Sequence, residues 1–549
     1  MSMITATAWV RRGIAAPFPI KYDFNEEEFK RIAELAKLNL DDAIEDLEES
    51  HQDVDGSLVT EVEEPNGLDA DDTGIKSDLE VDDDDLKEYD LEHYDDDNDE
   101  ETKASETGMR MFGNLKSLVY YESNADDPYI TIPENEEDDE DRDELQILAT
   151  DNLVLAAKVE DDVAHLEVYV YEDDADNLYV HHDIMLPAIP LCVEWLDLPV
   201  GRTVAEDNSK ANFVAVGTFD PEIEIWDLDT IDCMYPNAIL GEERDSSNVG
   251  NKKKDRKKKK KSKKSNDNFH VDAVLSLAAN RQHRNLLASS SADKTVKLWD
   301  LNTAKCAKSY SNHTDKVCSI QWHPVDSTVL LSGSYDRTVI VADMRAPEAK
   351  KPTWGVESDV EMVKWDPHDS NFFYISTEGG IVHYHDIRKA PSNPAATKPI
   401  WILQAHDESV SAFDINPIIP GFMATGSSDK YVKLWNIHPS GPSMVVSRDL
   451  DVGKVFSTSF APDEEVGFRL AVAGSKGLLH IWDTSTNSAV RSAFAGKITF
   501  GEGTVKEKLV GIEESHSDDS DDGLDNDEEE EESKTRNVVD QGWESMDED

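Results

Sequence analysis

Little in this sequence offers cysteine, membrane or catalytic chemistry. Only 4 cysteines are spread over 549 residues, and Cys192, Cys233, Cys306 and Cys318 show neither a CxxC pair nor zinc-finger spacing. That excludes an obvious disulfide framework or zinc module and predicts free thiols in a reducing compartment. No apolar run approaches the roughly 18 residues of a membrane-spanning helix, and the N-terminal stretch has no signal-like apolar core. An intracellular soluble protein without a membrane partner is therefore expected. Cations are scarce: 54 Lys and Arg against 117 Asp and Glu leave a net charge of −63. Hydrophobic residues make up only 38%, as expected if long acidic segments dilute an ordinary core. A P-loop, GxSxG, HExxH and an EF-hand loop are all missing, so no enzyme activity, cofactor, metal or small-molecule substrate is expected.

What is present is a repeat. Ser289 to Asp300 reads SSSADKTVKLWD: a small-residue strand, a turn at Ser291-Ala292-Asp293-Lys294, and an alternating strand ending in Trp299. Asp293 suits the turn because its short carboxylate can accept backbone N–H groups. Lys297 between Val296 and Leu298 gives the period of two of a half-buried strand. Copies run from Ser332 to Asp343, Gly426 to Asn436 and Gly474 to Asp483, with looser ones at Thr377 to Asp386 and Gly217 to Asp227. The terminal slot falls at Trp226, Trp299, Ala342, His385, Trp435 and Trp482, with steps of 43, 43, 50 and 47 residues from Trp299 onward. A second ladder is read at Leu277, Trp322, Trp365, Phe413 and Phe460. A period of roughly 40–45 residues ending in Trp-Asp is the signature of a WD-repeat β-propeller.

The fold class expected is thus all-β, a seven-bladed WD-repeat propeller with a short helical N-terminal arm and disordered acidic segments. Residues 1–50 form the arm: Asn25 caps a helix to Leu38, and a second runs from Asp41 to Glu49. Trp9, Phe18, Phe29, Ile32, Ile44 and Leu47 are its partner-binding candidates, with an arm folded back onto the propeller as the competing reading for the Trp9 stretch. Residues 51–144 are an acidic, mostly disordered linker, within which 111–132 could dock on the propeller. The propeller spans 145–500. Its weakest blade uses Gln146–Ala149 and Leu153–Ala156 as inner strands, and a second begins at Cys192-Val193-Glu194-Trp195. Ala489–Phe494 or Tyr129–Ile132 supplies the last outer strand.

Blades two and three are separated by an insertion at 241–268. Its centre carries Lys252, Lys253, Lys254, Arg256, Lys257, Lys258, Lys259, Lys260, Lys261, Lys263 and Lys264. The bland reading of such a run is a solvated linker; the favoured reading is a nuclear or nucleolar address, with which a direct RNA or phosphate contact can coexist. Lysines neutralise phosphate without reading bases. Residues 501–549 form an acidic disordered tail in which Ser515, Ser517 and Ser520 are candidates for acid-directed phosphorylation.

Histidines recur with the repeat. His313 precedes Asp336, and His406 precedes Asp429, by 23 residues, and His270 stands likewise to Asp293. With Trp226, Asp227, Trp299, Trp435, Trp482 and Asp483 they are expected as scaffold groups, the His–Asp pairs hydrogen-bonded inside their blades. His383 and His385 share a strand face, coincide with the Trp slot and are read the same way.

The tryptophan-spaced repeats, the Trp9-Val10-Arg11-Arg12-Gly13 opening and the Leu35-Ala36-Lys37-Leu38-Asn39-Leu40-Asp41-Asp42-Ala43 junction resemble the periodic tryptophan protein 1 family, WD-repeat proteins of the nucleolus. Loss of Trp at Ala342 and His385 departs from the repeat pattern and touches local packing. The resemblance implies a non-catalytic assembly factor for the large ribosomal subunit and for pre-rRNA processing, bound to other assembly factors and pre-ribosomal particles. Acidic arms suit histones or basic ribosomal proteins; a histone-binding chromatin adaptor supporting ribosomal DNA transcription is the alternative.

Overall fold

A computed structural model describes residues 2–22, 145–161, 163–200, 211–241, 266–495 and 508–511. Seven four-stranded antiparallel sheets form a ring. Naming strands a to d from the channel outward, blade 1 comprises β1 (Ser2–Val10), β3 (Asn152–Glu160), β4 (Val163–Glu172) and β5 (Asn177–Leu186). Blade 2 has β6 (Pro190–Leu196), β7 (Phe213–Thr218), β8 (Ile223–Asp227) and β10 (Ala238–Leu240). Blade 3 has β11 (Val274–Ala279), β12 (Leu286–Ser291), β13 (Val296–Asp300) and β14 (Lys305–Tyr310). Blade 4 has β15 (Val317–Trp322), β16 (Val329–Ser334), β17 (Thr338–Asp343) and β18 (Thr353–Gly355). Blade 5 has β19 (Val360–Trp365), β20 (Phe372–Thr377), β21 (Ile381–Asp386) and β22 (Trp401–Gln404). Blade 6 has β23 (Ala412–Ile415), β24 (Phe422–Gly426), β25 (Tyr431–His438) and β26 (Gly441–Asp449). Blade 7 has β27 (Val455–Phe460), β28 (Arg469–Gly474), β29 (Leu479–Asp483) and β30 (Lys508–Gly511). A two-stranded parallel sheet joins β2 (Ile20–Lys21) to β9 (Thr230–Ile231).

Each blade is built by the same local rules. The b–c turn after a small-residue strand places one residue in the left-handed region, as at Lys294 (φ 70°), Arg337 (φ 63°) and Lys430 (φ 75°). Asp293 supports its turn by accepting the Thr295 N–H at 2.9 Å. Blade 5 uses Gly380 (φ 78°) instead, and there a Cβ would collide with the His406 carbonyl. The middle strands bury their small and β-branched residues against both neighbouring blades, so the core is seven inter-blade layers rather than one mass.

Register corrects the second ladder. Cross-strand pairing joins Ala279 to Leu287 and Leu287 to Trp299, and likewise Trp322 to Leu330 to Ala342, Trp365 to Phe373 to His385, Ile415 to Met423 to Trp435, and Phe460 to Leu470 to Trp482. The inner-strand slots in blades 3 and 6 are therefore Ala279 and Ile415, not Leu277 and Phe413. Leu277 and Phe413 lie two residues earlier on the same strand face, where an apolar pattern alone cannot separate them.

The ring's first blade also differs from expectation. Its inner strand is β1, which pairs with β3 from Ser2↔Glu160 to Val10↔Leu153; Gln146–Ala149 forms no strand. Leu153–Ala156 lies in the second strand. The propeller therefore begins at residue 2 rather than 145. At the other end, Ala489–Phe494 lies in helix α1 (Ser488–Phe494), capped by Asn487, and β30 is the outer strand of blade 7. The predicted helices at 25–49, the 51–144 linker with 111–132, Tyr129–Ile132, the basic run and the acidic tail beyond Gly511 lie outside the described residues.

Candidate interaction surfaces of the ring

Three blades carry a buried polar relay. In blade 3 the Trp299 indole donates to Ser289 Oγ at 2.7 Å, Ser289 Oγ meets His270 Nε2 at 2.7 Å, and His270 Nδ1 meets Asp293 Oδ2 at 2.9 Å. Blade 6 repeats it through Trp435, Thr425, His406 and Asp429 at 2.9, 2.9 and 2.8 Å. Blade 4 keeps Ser332, His313 and Asp336 at 2.8 and 3.2 Å, with Ala342 where the indole would be. Burial pushes the His270 and His406 pKa values down, against the pull of their aspartates. Burial would raise Asp293, but hydrogen bonds from His270 and Thr295 outweigh it and hold the carboxyl down at about 2. A neutral imidazole donating Nδ1–H to a carboxylate and accepting a hydroxyl proton at Nε2 is the connectivity of a hydrolytic triad. Here each hydroxyl is buried, and two also accept an indole N–H, so the relays hold blades together. Ser289, Ser332 and Thr425 were missed in the sequence; each stands 19 residues after its histidine, a regularity that could have exposed them.

The remaining repeat residues are also spent internally. Trp226 donates to Glu224 at 3.1 Å, and burial pushes that carboxyl up to about 7. Asp227 caps its turn through the Asp229 N–H at 3.0 Å. Trp482 is fully buried in the inter-blade layer under a cation–π contact from Arg448 at 5.5 Å. Asp483 pairs with Arg469 at 2.7 Å. His383 meets Glu357 at 2.9 Å, and His385 stacks on Phe373 at 5.4 Å. All four cysteines are free thiols, and no metal-binding group of His, Cys, Asp or Glu occurs among the described residues. Nor is any described helix long and apolar enough to cross a membrane.

The inner strands turn their polar side chains to the neighbouring blade. Glu194 accepts the Ala279 N–H at 3.1 Å and Arg281 at 2.8 Å; Gln321 accepts the Trp365 N–H at 2.5 Å. Asp414 accepts Lys364 at 2.5 Å and the Phe460 N–H at 2.8 Å. Glu194, Gln321 and Asp414 thus act as inter-blade fasteners.

Of the two readings of the Trp9 stretch, a partner-docking arm and an arm folded back onto the propeller, the structure supports the second and removes Trp9 from the partner-binding candidates. Its side chain is 8% exposed, and its indole donates to the Ser459 carbonyl at 3.0 Å. Phe18 is half-buried on the arm that runs from β1 to β2. That arm is tied down where Ile147 donates to the Pro17 carbonyl at 3.0 Å and Ala16 to Asp229 at 3.0 Å. The reason is steric and energetic: without Trp9, Val10 and Ile4, blade 1 would lack an inner strand and leave both neighbouring layers open. Phe29, Ile32, Ile44 and Leu47, the eleven basic residues from Lys252 to Lys264, and Ser515, Ser517 and Ser520 lie outside the described residues. At the end of the ring bearing the b–c turns, Phe219 and Ile189 are exposed side by side, the Phe219 N–H donating to the Ile189 carbonyl at 3.0 Å.

Comparison with known proteins fits this architecture. The family model described as "WD domain, G-beta repeat" matches residues 264–300, 304–343 and 397–436, the three blades that carry the His–Asp relay. An uncharacterized WD repeat-containing protein of Schizosaccharomyces pombe is 51% identical over 514 residues, covering 94% of this chain and 95% of its own. Periodic tryptophan protein 1 of Saccharomyces cerevisiae is 41% identical over 556 residues, covering 93% of each chain. The periodic tryptophan protein 1 homolog of Drosophila melanogaster is 28% identical over 498 residues, covering 90% of this chain and 96% of its own.

Proposed function

The chain belongs to the periodic tryptophan protein 1 family, and from that premise we propose that it is a non-catalytic scaffold in nucleolar assembly of the large ribosomal subunit and in pre-rRNA processing. The observation that carries this reading is the 41% identity to the S. cerevisiae protein across 93% of both chains. Such coverage extends far beyond the three repeats that match the family model. The ring supports it physically. Its polar inner residues fasten blades to one another, which leaves the rim and outer strands to hold assembly factors. The acidic segments, source of much of the −63 charge, compete with rRNA for basic proteins. The Lys252–Lys264 run carries the protein to the nucleolus or contacts rRNA phosphates, a contact that weakens with salt.

Affinity purification of the tagged protein from nuclear extract, with and without ribonuclease, followed by gradient sedimentation, tests the proposal. Recovery in an RNA-dependent particle containing large-subunit precursor rRNA is expected. Recovery with core histones after ribonuclease, and no pre-rRNA in the untreated sample, would replace it with a histone-binding chromatin adaptor.

A further inference from the structure

The outermost strand of a blade ends in unpaired main-chain donors and acceptors, and soluble proteins blunt such edges with charge, proline, shortness or cover. Most of this ring follows that rule. Lys305 and Lys308 stud β14, Arg448 and Asp449 close β26, Lys508 opens β30 and Asp183 interrupts β5. β10 and β18 are three residues long, and Gly355 of β18 donates its N–H at 2.8 Å to Thr397 of the overlying loop. β22 is the exception. Its sequence, Trp-Ile-Leu-Gln, holds no charge and no proline, and no described strand pairs with its outer edge. Ile402 within it is 58% exposed, and Ile400 just before it is 46% exposed.

Beside this edge lies a cleft of about 420 Å³ between blades 4 and 5. Its lining includes the apolar Ile402, Val356, Pro394 and Pro399 and the acidic Glu357; Asp336, also on the lining, is spent on His313, Thr314 and Thr338. Arg337, also on the lining, is neutralised by Asp359 at 3.0 Å. Ile402 pairs with His383 across the strands, and His383 holds Glu357 at 2.9 Å, so apolar and acidic groups meet at one level of the edge.

We propose that β22 is a strand-addition site for an extended segment of a basic partner protein, with an aliphatic side chain on Ile402 and a Lys or Arg two residues away reaching Glu357. Main-chain hydrogen bonds to the edge supply binding, and alternate side chains on one face supply selectivity. A second copy of this chain is a poorer occupant, because pairing β22 with β22 would bring together two chains of net charge −63. The surface deepens the partner reading above, but its test contains no ribosomal component, so failure here leaves the particle assignment standing.

The probe is a fluorescent peptide, Thr-Lys-Thr-Val-Thr-Lys-Thr, titrated with the full chain in fluorescence anisotropy. Ile402→Asp adds negative charge while removing the apolar contact; it should weaken binding at least tenfold. Met444→Asp, at a side chain of 58% exposure on β26, should leave binding within twofold, and both variants should melt like the parent. N-methylation of one alternate set of peptide amides should abolish binding, and of the other set should not. Equal loss in the two variants, equal tolerance of both methylation patterns, or equal binding of a Glu-for-Lys peptide would each overturn the proposal. So would a wild-type dimer in sedimentation velocity that Ile402→Asp dissolves, which would make a second copy the occupant.

Discussion

The seam that closes the ring, between blades 7 and 1, uses the same fastening as an interior seam such as that between blades 3 and 4. In the interior, Trp322 donates to the Ala278 carbonyl at 3.0 Å and the Ile320 N–H to Ser276 Oγ at 3.3 Å. At closure, Trp9 donates to the Ser459 carbonyl at 3.0 Å and the Thr7 N–H to Ser457 Oγ at 3.2 Å. These are the same positions of the repeat, although Trp9 belongs to a strand separated from the rest of its blade by residues 11–151. The closing seam then adds a polar cluster: Arg469 pairs with Asp173 and Asp483, each at 2.7 Å. Asp463 accepts Asn152 at 2.8 Å and the Arg12 N–H at 3.1 Å. Interior seams carry ion pairs as well, Arg281–Glu194 between blades 2 and 3 and Lys364–Asp414 between blades 5 and 6, but the closing seam, joined only by folding, sets one largely buried cation, Arg469, between two carboxylates.

If the two seams share their apolar fastening, truncating either tryptophan should cost alike. Trp9→Ala and Trp322→Ala should each lower unfolding free energy by about 3–5 kcal/mol, the usual range for a buried Trp or Phe cut to Ala. Urea denaturation followed by far-ultraviolet circular dichroism measures both. A loss below about 1 kcal/mol for Trp9→Ala alone would return Trp9 to a partner-docking arm and break the comparison.

The two readings of the Trp9 stretch mark where sequence stops being informative. Seven blades, the third-strand slots from Trp226 to Trp482 and the His–Asp spacing were legible because each rests on a local hairpin repeated at a fixed period. The strand containing Trp9 was not, because its partners lie at Asn152–Glu160 and Val455–Phe460, and periodicity says nothing about pairing across such distances. β30 was hidden likewise: the helix Ser488–Phe494 intervenes, and its Ala489 and Val490 carry an apolar pattern too short to tell helix from strand. Leu277 and Phe413 were misassigned by two residues because a strand face repeats at that spacing. The relay hydroxyls Ser289, Ser332 and Thr425 sat among other small residues and drew no notice. β22 as a docking edge could not be read at all, since exposure of Ile402 depends on the loop and blade beside it.

The polar cluster should account for a smaller difference between the seams. Arg469→Met keeps the stem and removes the charge, leaving Asp173 and Asp483 without their shared cation; about 2 kcal/mol should be lost. In combination with Asp173→Asn, the two losses should sum to more than the double variant shows, because both remove one interaction. Strict additivity would mean that Arg469 acts through packing, and that the closing seam is fastened like any other.

The least effect at neutral pH should come from blade 5, where His385 fills the slot that Trp299 fills in blade 3. Its ring is buried, stacks near His383 at 5.9 Å, and leaves Nε2 with no hydrogen-bond partner. Burial, with help from His383, pushes its pKa down to about 3. An unfolded histidine near its ordinary pKa of about 6.5 binds more protons than this folded one at every pH between those values. Stability from this group is therefore complete above about 6.5 and lost as pH falls toward 3. Phenylalanine keeps the stacking and removes the unpaired nitrogen, so His385→Phe should change stability by less than about 1 kcal/mol at pH 7.5. At pH 4.5 the variant should be the more stable protein by roughly 2 kcal/mol. Denaturation at the two pH values reads this directly: parallel behaviour of variant and parent would show that blade 5's seam does not sense protons through His385, and that its lost tryptophan was replaced at no cost in acid.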